Sequence, residues 1–349
     1  MTQKNPLVEV IILTHNNKKI LNDCLNSLKK TQYKNLKVTI VDQDSSDGTS
    51  ELIKKNYPKF NVFRNKINES FSAANNKLLK SSKAKYCILL NDDTTQEPNW
   101  INELVKVAEA DEKIAALQPK ILSMKNKKMF EHAGAGGGFI DIFGYEFCRG
   151  RIFSEIEEDK GQYDNIKEVF WVCGVALFIR RKVLDEVGYL DEDFGSYFEE
   201  TDLSWRINLA KYSQKYIPKS IVYHIGSATW GNKKNSATKE YLLHRNSWFV
   251  LGKNYSRRNW FWILPSKFIL EMITIFAFLF TNPKKSYASL KGFIWFIFNI
   301  GKINKGNKKT EDLKKISDIE LMQKMVKTSV ALQYFISGKK HFKDYEKFL

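Results

Sequence analysis

Cysteine is scarce in this sequence. Only four of the 349 residues are cysteines, at positions 24, 87, 148 and 173, and no two of them form a C-x-x-C pair. A zinc ribbon needs paired cysteines, and a disulfide framework needs a higher density of them. We therefore expect neither, and the composition indicates a reduced, intracellular protein.

Long uninterrupted apolar runs are also lacking. A membrane-spanning helix needs about 18 or more consecutive apolar residues. The aromatic stretch 260–280 is interrupted by Pro265, Lys267 and Glu271, and the apolar run 292–300 is short. Residues 1–6 are polar, and the apolar run 8–13 is too short for a signal peptide. We expect neither a leader nor a spanning helix.

Acidic residues are in the minority. Lys and Arg number 56 against 39 Asp and Glu, so the net charge is +17. Such an excess predicts an anionic partner (nucleic acid, anionic lipid or a phosphorylated substrate), although a lysine-rich chain can be basic without any such partner. Residues 251–310 hold eleven basic residues and a single acid, Glu271. Apolar, aromatic segments flanked by lysines are typical of helices in the membrane interface. A buried pair of core helices is the alternative.

Short apolar runs alternate with amphipathic stretches over residues 1–110. This pattern predicts strands at 8–13, 36–41, 62–63 and 86–90 and helices at 20–28, 50–57 and 72–80. The alternation predicts an α/β fold with a parallel sheet and helices on both of its faces. Ligands bind at the carboxyl ends of such strands. Polar, acid-rich loops follow three of them, at 14–17, 42–48 and 91–93.

Two of these loops carry closely spaced carboxylates. Asp92 and Asp93 follow an apolar strand, and a divalent cation would offset their repulsion while sharing its remaining ligand positions with substrate phosphates. Capping of the next helix is the alternative function for either residue. The loop D-Q-D-S-S-D-G at 42–48 offers carboxylates to a ribose or a base, or it forms a plain turn.

Three further acids crowd the stretch F-E-E-T-D-L-S-W-R at 198–206. Glu199, Glu200 and Asp202 stand just before an apolar-faced helix. The helix dipole stabilises acids at this position, which accounts for one of them. Three are more than a cap needs, and a carboxylate in a cleft can act as a general base.

The motifs together, in their order along the chain, resemble family 2 glycosyltransferases. They are V-I-I-L-T-H-N-N, V-D-Q-D-S-S-D-G-T, L-L-N-D-D-T, V-C-G-V-A-L-F-I-R-R, V-G-Y-L-D-E-D-F, F-E-E-T-D-L-S-W-R and H-R-N, spread over about residues 8–250. The similar subgroup is the rhamnosyltransferase-like enzymes of bacterial surface polysaccharides. The resemblance implies a GT-A fold, which is a Rossmann-like α/β sandwich with a mostly parallel central sheet. It also implies a nucleotide-diphospho-sugar donor, a glycan or lipid-linked acceptor and inversion of the anomeric centre.

The same resemblance implies roles for individual residues. Donor binding falls to Thr14, Asn16, Asp42, Asp44, Asn68, Asn75, Asp92 and Arg245. Asp93 and His224 are the implied ligands of a Mg²⁺ or Mn²⁺ ion, although a histidine after an apolar strand is often only structural. The implied base is Glu200, with Glu199 and Asp202 as alternatives. Cys173, Gly174 and Val175 are the implied acceptor contacts.

The resemblance also divides the chain into three parts. Residues 1–110 would form the nucleotide-sugar-binding half of the GT-A domain, and residues 111–250 the acceptor-binding, catalytic half. Residues 251–349 would form a basic, aromatic, helical extension that associates with an anionic membrane surface. We expect a cytoplasmic enzyme, peripheral at the inner face of the cell membrane.

Other functions fit the sequence less well. The glycine cluster G-A-G-G-G at 134–138 suggests a nicotinamide oxidoreductase, but that fingerprint belongs at the first strand turn. A nucleic-acid-binding protein would carry basic loops at the strand ends, whereas these loops are acidic, so we expect no nucleic acid partner. A degenerate, non-catalytic glycosyltransferase-fold binding protein remains the alternative, although the metal-binding acids and the acidic triplet are present.

Overall fold

The amino-terminal part of the chain forms one side of a central sheet. The computed structural model describes residues 5–226 and 236–348. Strands and helices alternate here as β1 Val8–Thr14, α1 Lys18–Leu28, β2 Leu36–Gln43, α2 Thr49–Asn56, β3 Asn61–Asn65, α3 Phe71–Ser81 and β4 Tyr86–Asn91. Strands β3, β2, β1 and β4 pair in parallel in that order. The register places Thr14 opposite Asp42 and Leu13 opposite Asn91, so three carboxyl ends lie side by side.

The sheet continues with strands from the middle of the chain. The elements are β5 Thr94–Gln96, α4 Trp100–Ala110, β6 Ile114–Ser123, β7 Gly138–Ile140, β8 Glu146–Cys148, β9 Arg151–Ile152, β10 Glu155–Ile156, β11 Lys167–Glu168, β12 Ala176–Arg180, α5 Arg181–Val187, α6 Glu199–Leu209 and β13 Ser213–His224. Beyond β4 the strand order is β12, β6, β13 and β11, and β5 pairs with β13, which makes nine strands within the described residues. Strand β12 runs antiparallel to both neighbours, whereas β6 and β13 are parallel.

Both faces of the sheet are buried, as is typical of parallel strands that carry helices on each side. Side chains alternate between the two faces because of the strand pleat. Val10 and Ile12 pack into one core with α1 and α4, while Ile11 and Leu89 belong to the other core. All four side chains are at most 1% exposed. The strand ends are thus held on a framework that is packed from both sides.

The glycine cluster at 134–138 serves close packing next to a smaller sheet, formed by β7 to β10. A Cβ atom on Gly138 would lie 2.3 Å from the Trp171 ring, and one on Gly134 would lie 2.6 Å from Cys173 Cβ. Cβ atoms do not approach other heavy atoms so closely, so neither position accepts another residue without movement of its neighbour. This packing gives the cluster a structural purpose that needs no nucleotide.

Helices form the carboxyl-terminal part. They are α7 Ser236–Asn254, α8 Arg257–Phe278, α9 Pro283–Phe298, α10 Ile300–Leu313, α11 Asp318–Met322 and α12 Val330–Phe335. The expected division after residue 250 falls inside α7. Residues beyond α10 join the main core: Val326 and Tyr345 are fully buried, and the Val326 N–H donates to the Ile140 carbonyl at 3.1 Å.

Helix α8 differs from the sequence-based expectation in two ways. Pro265 lies inside the helix and does not end it. Lys267 and Glu271, which would face water on an interfacial helix, are instead 1% and 0% exposed and pair at 2.9 Å. Glu271 also lies 2.9 Å from His244 Nδ1 and accepts a hydrogen bond from Ser289. Both charges therefore point into the protein, and they do not interrupt the outer face of the helix.

The outer face of α8 and α9 is strongly apolar. Phe261 of α8, Phe298 of α9 and Phe280, in the turn between the two helices, are 86%, 84% and 91% exposed. Within the described part of the chain, α8 is the one helix that is long and apolar enough to cross a membrane by length and composition. Core helices of soluble proteins can meet the same criterion, so this property alone is weak evidence for a membrane.

Candidate active site

The first part of the candidate site lies where β1 and β4 end. Thr14, the last residue of β1, donates its hydroxyl to Asp92 Oδ2 at 2.7 Å. Burial raises the pKa of Asp92 to about 6, and the adjacent Asp93 adds to the rise, while hydrogen bonds from Thr14 and Asn17 oppose it. The strand-end geometry therefore brings Thr14 and Asp92 together, as the motifs suggest.

Asp93 meets His224 through strand pairing. In the β5–β13 ladder His224 lies opposite Thr94, the residue after Asp93, and the Ile225 N–H donates to the Asp93 carbonyl at 3.0 Å. As a result, His224 Nε2 lies 3.0 Å from Asp93 Oδ1, and both side chains are buried. The two predicted metal ligands, which are 131 positions apart in sequence, are thus side by side.

A third acid, Glu131, adjoins this pair. Its Oε1 atom lies 3.9 Å from His224 Nδ1, and burial raises the pKa of its carboxyl. Gly226 makes room for it, because a Cβ there would lie 2.6 Å from Glu131 Oε1. No motif in the sequence signals Glu131, since it belongs to an irregular segment and reaches the site through the tertiary fold.

The Asp93–His224 pair suits a divalent cation. A carboxylate oxygen and an imidazole nitrogen are both ligands for such ions, and a transition metal such as Mn²⁺ accepts the mixture. Within the described residues, His224 Nδ1 is buried without a hydrogen-bond partner, and no group of three or more His, Cys, Asp or Glu side chains forms a complete metal cage. Two protein ligands leave coordination positions for substrate phosphates.

The loop after β2 is already tightly organised. Asp42 is fully buried, with Oδ1 accepting from the Ser45 N–H at 2.8 Å and Oδ2 accepting from the Ser50 hydroxyl. Burial alone would raise the pKa of Asp42, but these hydrogen bonds outweigh it and lower the pKa. Asn16 Oδ1 accepts from the Ser46 N–H at 2.8 Å, which joins this loop to the loop after β1. Asp42 and Asn16 thus organise the loops after β1 and β2 through internal hydrogen bonds.

The remaining predicted donor residues are more dispersed. Asp44 is exposed, with positive φ, and lies 3.6 Å from Arg64. Asn68 is exposed, whereas Asn75 is buried in α3 and donates to the Phe71 carbonyl at 3.0 Å. The structure does not join these three side chains to the Asp92–Asp93 cluster by any hydrogen bond within the described residues. Their donor contacts stay predictions.

Arg245, a predicted donor-binding residue, contacts the loop before the acid triplet. Its Nη2 atom donates to the carbonyls of Asp193 and Phe194, the first at 3.3 Å, and its guanidinium lies over the Trp295 ring at 5.1 Å. Burial lowers the pKa of this group. The structure therefore places Arg245 beside the segment that precedes the acid triplet, on α7. A contact with the donor diphosphate stays a prediction.

The neighbouring Asn246 holds that segment in an unusual conformation. Tyr197 and Phe198 have φ values of +67° and +71°, which bulky residues rarely adopt. Asn246 Nδ2 donates to the carbonyls of Phe194, Ser196 and Tyr197 at 3.1, 2.8 and 2.7 Å. Strained backbone of this kind concentrates at functional sites. The H-R-N motif thus fixes the turn that introduces α6 and its acids.

The C-G-V segment links the acid triplet to the N-D-D loop. The Asn91 N–H donates to the Val175 carbonyl at 3.0 Å, and a Cβ on Gly174 would lie 3.5 Å from Glu200 Oε1. Glu200 is thereby brought next to the strand end that carries Asp92. Cys173 and Val175 are only 4% exposed, whereas Gly174 is partly exposed, and the acceptor contacts of all three stay predictions.

Glu199 and Glu200 lie in a carboxyl-rich, poorly solvated environment. Burial raises the pKa of both, and the charge of Glu200 raises that of Glu199 further. Each has one buried oxygen without a hydrogen-bond partner in the described structure. Glu146 on β8 is a third member that the sequence did not reveal. Burial and then Glu200 raise its pKa to about 8, and Thr201 donates a hydrogen bond to it.

Asp202, the third acid of the triplet, has a different environment from the two glutamates. It is fully buried, and its Oδ2 accepts from Arg206 at 2.8 and 3.0 Å and from Lys253 at 2.8 Å, while Oδ1 accepts from Asn254 at 3.0 Å. Burial would raise the pKa of Asp202, but Lys253 and Arg206 lower it overall. These contacts occupy both carboxylate oxygens and join α6 to α7, and a role of Asp202 as the base stays a prediction.

The family model described as glycosyl transferase family 2 matches residues 9–188, just over half of the chain. The chain belongs to glycosyl transferase family 2. The matched part runs from β1 through α5 and includes the N-D-D and C-G-V segments, whereas the acid triplet and His224 lie beyond it. The family and the enzyme class predicted from the motifs, a glycosyltransferase, are thereby confirmed.

Two curated relatives differ in how much of their length this glycosyltransferase spans. The N-acetylglucosaminyl-diphospho-decaprenol L-rhamnosyltransferase of Mycobacterium tuberculosis (strain ATCC 25618 / H37Rv) is 22% identical over 281 residues, which cover 76% of this chain and 89% of that protein. The uncharacterized protein y4gI of Sinorhizobium fredii (strain NBRC 101917 / NGR234) is 25% identical over 265 residues, which cover 73% of this chain but only 28% of that protein. The chain therefore spans under a third of the second relative.

Solved structures confirm the fold class. The crystal structure of GalNAc-T7 with UDP, GalNAc and Mn²⁺ superposes with a TM-score of 0.63 at 18% identity. The superposition covers 94% of this chain and 57% of that chain. At this level of identity the likeness concerns the fold, and it bears out the GT-A-type α/β architecture with its central sheet and helical carboxyl-terminal region.

Proposed function

We propose that this family 2 glycosyltransferase moves a sugar from a nucleotide-diphospho-sugar to a hydroxyl group of a glycan or lipid-linked acceptor, with inversion at the anomeric carbon. The observation that carries the proposal is the 3.0 Å contact between Asp93 and His224, which lies next to Asp92 at the end of β4. Ligands bind at the carboxyl ends of strands in α/β sheets. The C-G-V segment connects this strand end to Glu200, the candidate base.

Asp93 and His224 would hold a divalent cation, Mn²⁺ or Mg²⁺. Such a cation, when bound, neutralises charge that develops on the departing diphosphate. Asp92 would contact the donor ribose or sugar, and the 2.7 Å hydrogen bond from Thr14 keeps its carboxylate oriented for that contact. The mixed nitrogen and oxygen ligands favour Mn²⁺ over Mg²⁺, because Mg²⁺ prefers oxygen alone. The Mn²⁺ in the GalNAc-T7 structure is consistent with this choice.

Glu200 would act as the general base. Its pKa is raised by burial, which brings a carboxylate closer to the pH at which it accepts protons most effectively. The acceptor hydroxyl would lie over Gly174, where the absence of a side chain leaves space beside Glu200. In a single displacement, the acceptor oxygen forms a bond to the anomeric carbon, the bond to the diphosphate oxygen breaks, and the hydroxyl proton passes to Glu200.

A curated relative and the outer helices support a proposal for the acceptor and the place of action. The mycobacterial relative is named for N-acetylglucosaminyl-diphospho-decaprenol, a lipid-linked sugar. The exposed aromatic face of α8 and α9 would meet an anionic membrane surface, with the basic residues around it facing the headgroups. We therefore place the enzyme at the cytoplasmic face of the cell membrane, in the assembly of a cell-surface polysaccharide.

A donor panel tests this function. The full chain is incubated with a range of nucleotide-diphospho-sugars, with Mn²⁺, Mg²⁺ or chelator, and release of the nucleoside diphosphate is measured. We expect release with at least one donor, strongest with Mn²⁺. Asp93→Asn should lower it roughly 10²–10³-fold, the range for loss of one charge-stabilising group, whereas Asp23→Asn, an exposed acid on α1, should leave it unchanged. Wild-type turnover by Asp93→Asn in chelator would overturn the metal assignment.

A further inference from the structure

An apolar groove lies between α8 and α9, apart from the strand-end site. Its volume is about 630 Å³, and its walls include Trp248, Trp260, Leu264, Phe268 and Phe293. Ligand-binding clefts in proteins typically measure about 300–1,000 Å³. The groove is therefore large enough for a substantial part of an apolar ligand.

The floor of the groove is a packed aromatic cluster. Trp248 of α7 is 1% exposed, and its ring centre lies 5.2 Å from that of Phe293 and 5.1 Å from that of Phe296. The Phe268 and Phe293 rings are 4.8 Å apart. Because these rings support one another, the floor is preformed and needs little ordering when a ligand binds.

Positive charge is concentrated at one end of the groove. Arg257 lines the groove and also an adjoining cavity of about 410 Å³, which is shared with Asn307, Lys308 and Glu311. Glu311 pairs with Lys314 at 2.5 Å. In the described parts of the chain, neither Arg257 nor Lys308 has a carboxylate within ion-pair distance. Two cations are thus available for an anionic group at that end.

An apolar groove with two cations at one end suits some classes of ligand better than others. A peptide would lose the hydration of its backbone polar groups without finding partners on an apolar wall, which disfavours its binding. A nucleotide would likewise find no partners for its base. A hydrocarbon chain that ends in a phosphate suits the whole surface, since its chain matches the aromatic walls and its phosphate matches Arg257 and Lys308.

We infer that the groove binds the polyprenyl chain of a phosphate-linked acceptor lipid, with the phosphate next to Arg257 and Lys308. The inference rests on the proposed function, in which the acceptor is lipid-linked. It is favoured over binding of a bulk membrane lipid because α7 connects the groove to the candidate active site. The same helix carries Trp248 in the groove floor and Asn246, which holds the turn before Glu200.

Photolabelling tests the inference on the full chain in detergent micelles. The probe is geranylgeranyl phosphate with a benzophenone on its chain, and labelled peptides are identified by mass spectrometry. We expect labelling of peptides within 257–268 and 293–296. Leu264→Trp, which fills the groove, should reduce labelling about tenfold. Arg257→Gln should weaken it roughly threefold, as expected for loss of one exposed charge contact.

Matched controls separate the groove from the surrounding apolar surface. Ile273→Trp changes an exposed residue of the same helix outside the groove, and Arg258→Gln removes the adjacent exposed cation. Both should label as wild type does. Equal labelling of Leu264→Trp and wild type, or a loss shared equally by both controls, would overturn the inference. Because Arg257 is exposed, its variant retains the fold and provides a second test if Leu264→Trp unfolds.

Competition and activity assays separate the possible sources of the signal. Unlabelled geranylgeranyl phosphate should compete with the probe, whereas phosphatidylglycerol should compete at least about tenfold less well. Equal competition would overturn the acceptor assignment and indicate a membrane-lipid site. Nucleoside diphosphate release is measured on the same preparations without acceptor. If the groove is labelled but no donor yields nucleoside diphosphate, the proposed transferase function is refuted and lipid binding in the groove is not. If nucleoside diphosphate is released but the groove is not labelled, only lipid binding in the groove is refuted.

Discussion

The buried Asp202 network offers a direct test of which acid is structural. Asp202→Asn keeps the shape of the side chain and removes its charge. In the native protein this carboxylate lies 2.8 Å from Lys253 Nζ and 2.8 Å from Arg206 Nη2 and has no exposed surface. The substitution therefore leaves two buried cations without their shared counter-charge, so we expect a loss of stability rather than a specific loss of chemistry.

The size of the loss follows from the partners that remain. Removing one member of a buried ion pair typically costs about 3–5 kcal/mol. Lys253 would keep Asp191 at 2.5 Å, and Arg206 would keep the carbonyls of Val187, Gly188 and Tyr189. The lower end, about 3 kcal/mol, is therefore expected, which corresponds to a melting temperature lower by roughly 6–12 °C in a domain of about 150–250 residues.

Thermal unfolding and turnover, measured side by side, distinguish the two roles. The matched control is Asp185→Asn, which removes the acid of the exposed Arg181–Asp185 pair and should barely change the melting temperature. Because the pKa of Asp202 is lowered in the fold, its stabilisation is present above the ordinary Asp pKa and fades as the pH falls through the folded value. An Asp202→Asn protein with wild-type melting but turnover reduced more than about 10²-fold would refute this reasoning and make Asp202 the base.

Two further predictions concern the base and the membrane. Glu200→Gln should lower turnover roughly 10²–10⁴-fold with donor affinity unchanged. It should also remove an acidic limb that lies above the ordinary Glu pKa, because the raised pKa leaves Glu200 protonated to higher pH; an unchanged pH profile of turnover would contradict this. Replacing the exposed Phe280 and Phe298 by Asp should abolish flotation of the full chain with anionic vesicles, and flotation should weaken with salt. Flotation equal to that of wild type would exclude this face as the contact.

Much of the amino-terminal half could be predicted from local patterns. The runs at 8–13 and 86–90 became β1 Val8–Thr14 and β4 Tyr86–Asn91, and the amphipathic stretch 72–80 became α3 Phe71–Ser81. The signals for these strands and helices are local. The period of the apolar residues and the turn residues at each end can both be read within one short segment. The polar loops after the strands were placed correctly for the same reason, since parallel pairing aligns their ends.

The surroundings of the Asp93–His224 pair could not be predicted from local sequence patterns. His224 reaches Asp93 because β13 pairs with the three-residue strand β5, which has no sequence signal of its own. Glu131 lies outside the named strands and helices, and Glu146 begins the three-residue strand β8, so neither has a periodic sequence signal. Long-range contacts of this kind depend on strand order, and strand order is not encoded in the period of any single segment.

The charged residues of helix α8 face the opposite direction from the one expected from the sequence. Lys267 and Glu271 are four residues apart, so they share one face of a helix. The pattern alone cannot tell whether that face meets water or protein. In the structure it meets α7 and α9, through His244 and Ser289, and the mutual pairing of the charges makes their burial possible. From Phe261 to Phe276 the exposed residues of the helix are all apolar, which is consistent with the proposed membrane contact.

The acid triplet illustrates how surroundings, rather than residue type, divide chemical roles. Glu199, Glu200 and Asp202 occupy one turn of α6, yet Asp202 meets two cations while the glutamates meet each other and Glu146. A cation holds a carboxylate charged but occupies its oxygens, whereas burial among acids favours the protonated form and leaves an oxygen able to accept a proton. Only Glu200 combines a raised pKa with a neighbouring glycine that admits another molecule. Glu200 therefore stays the proposed base, while the ion pairs of Asp202 with Arg206 and Lys253 hold the same turn of α6 against α7.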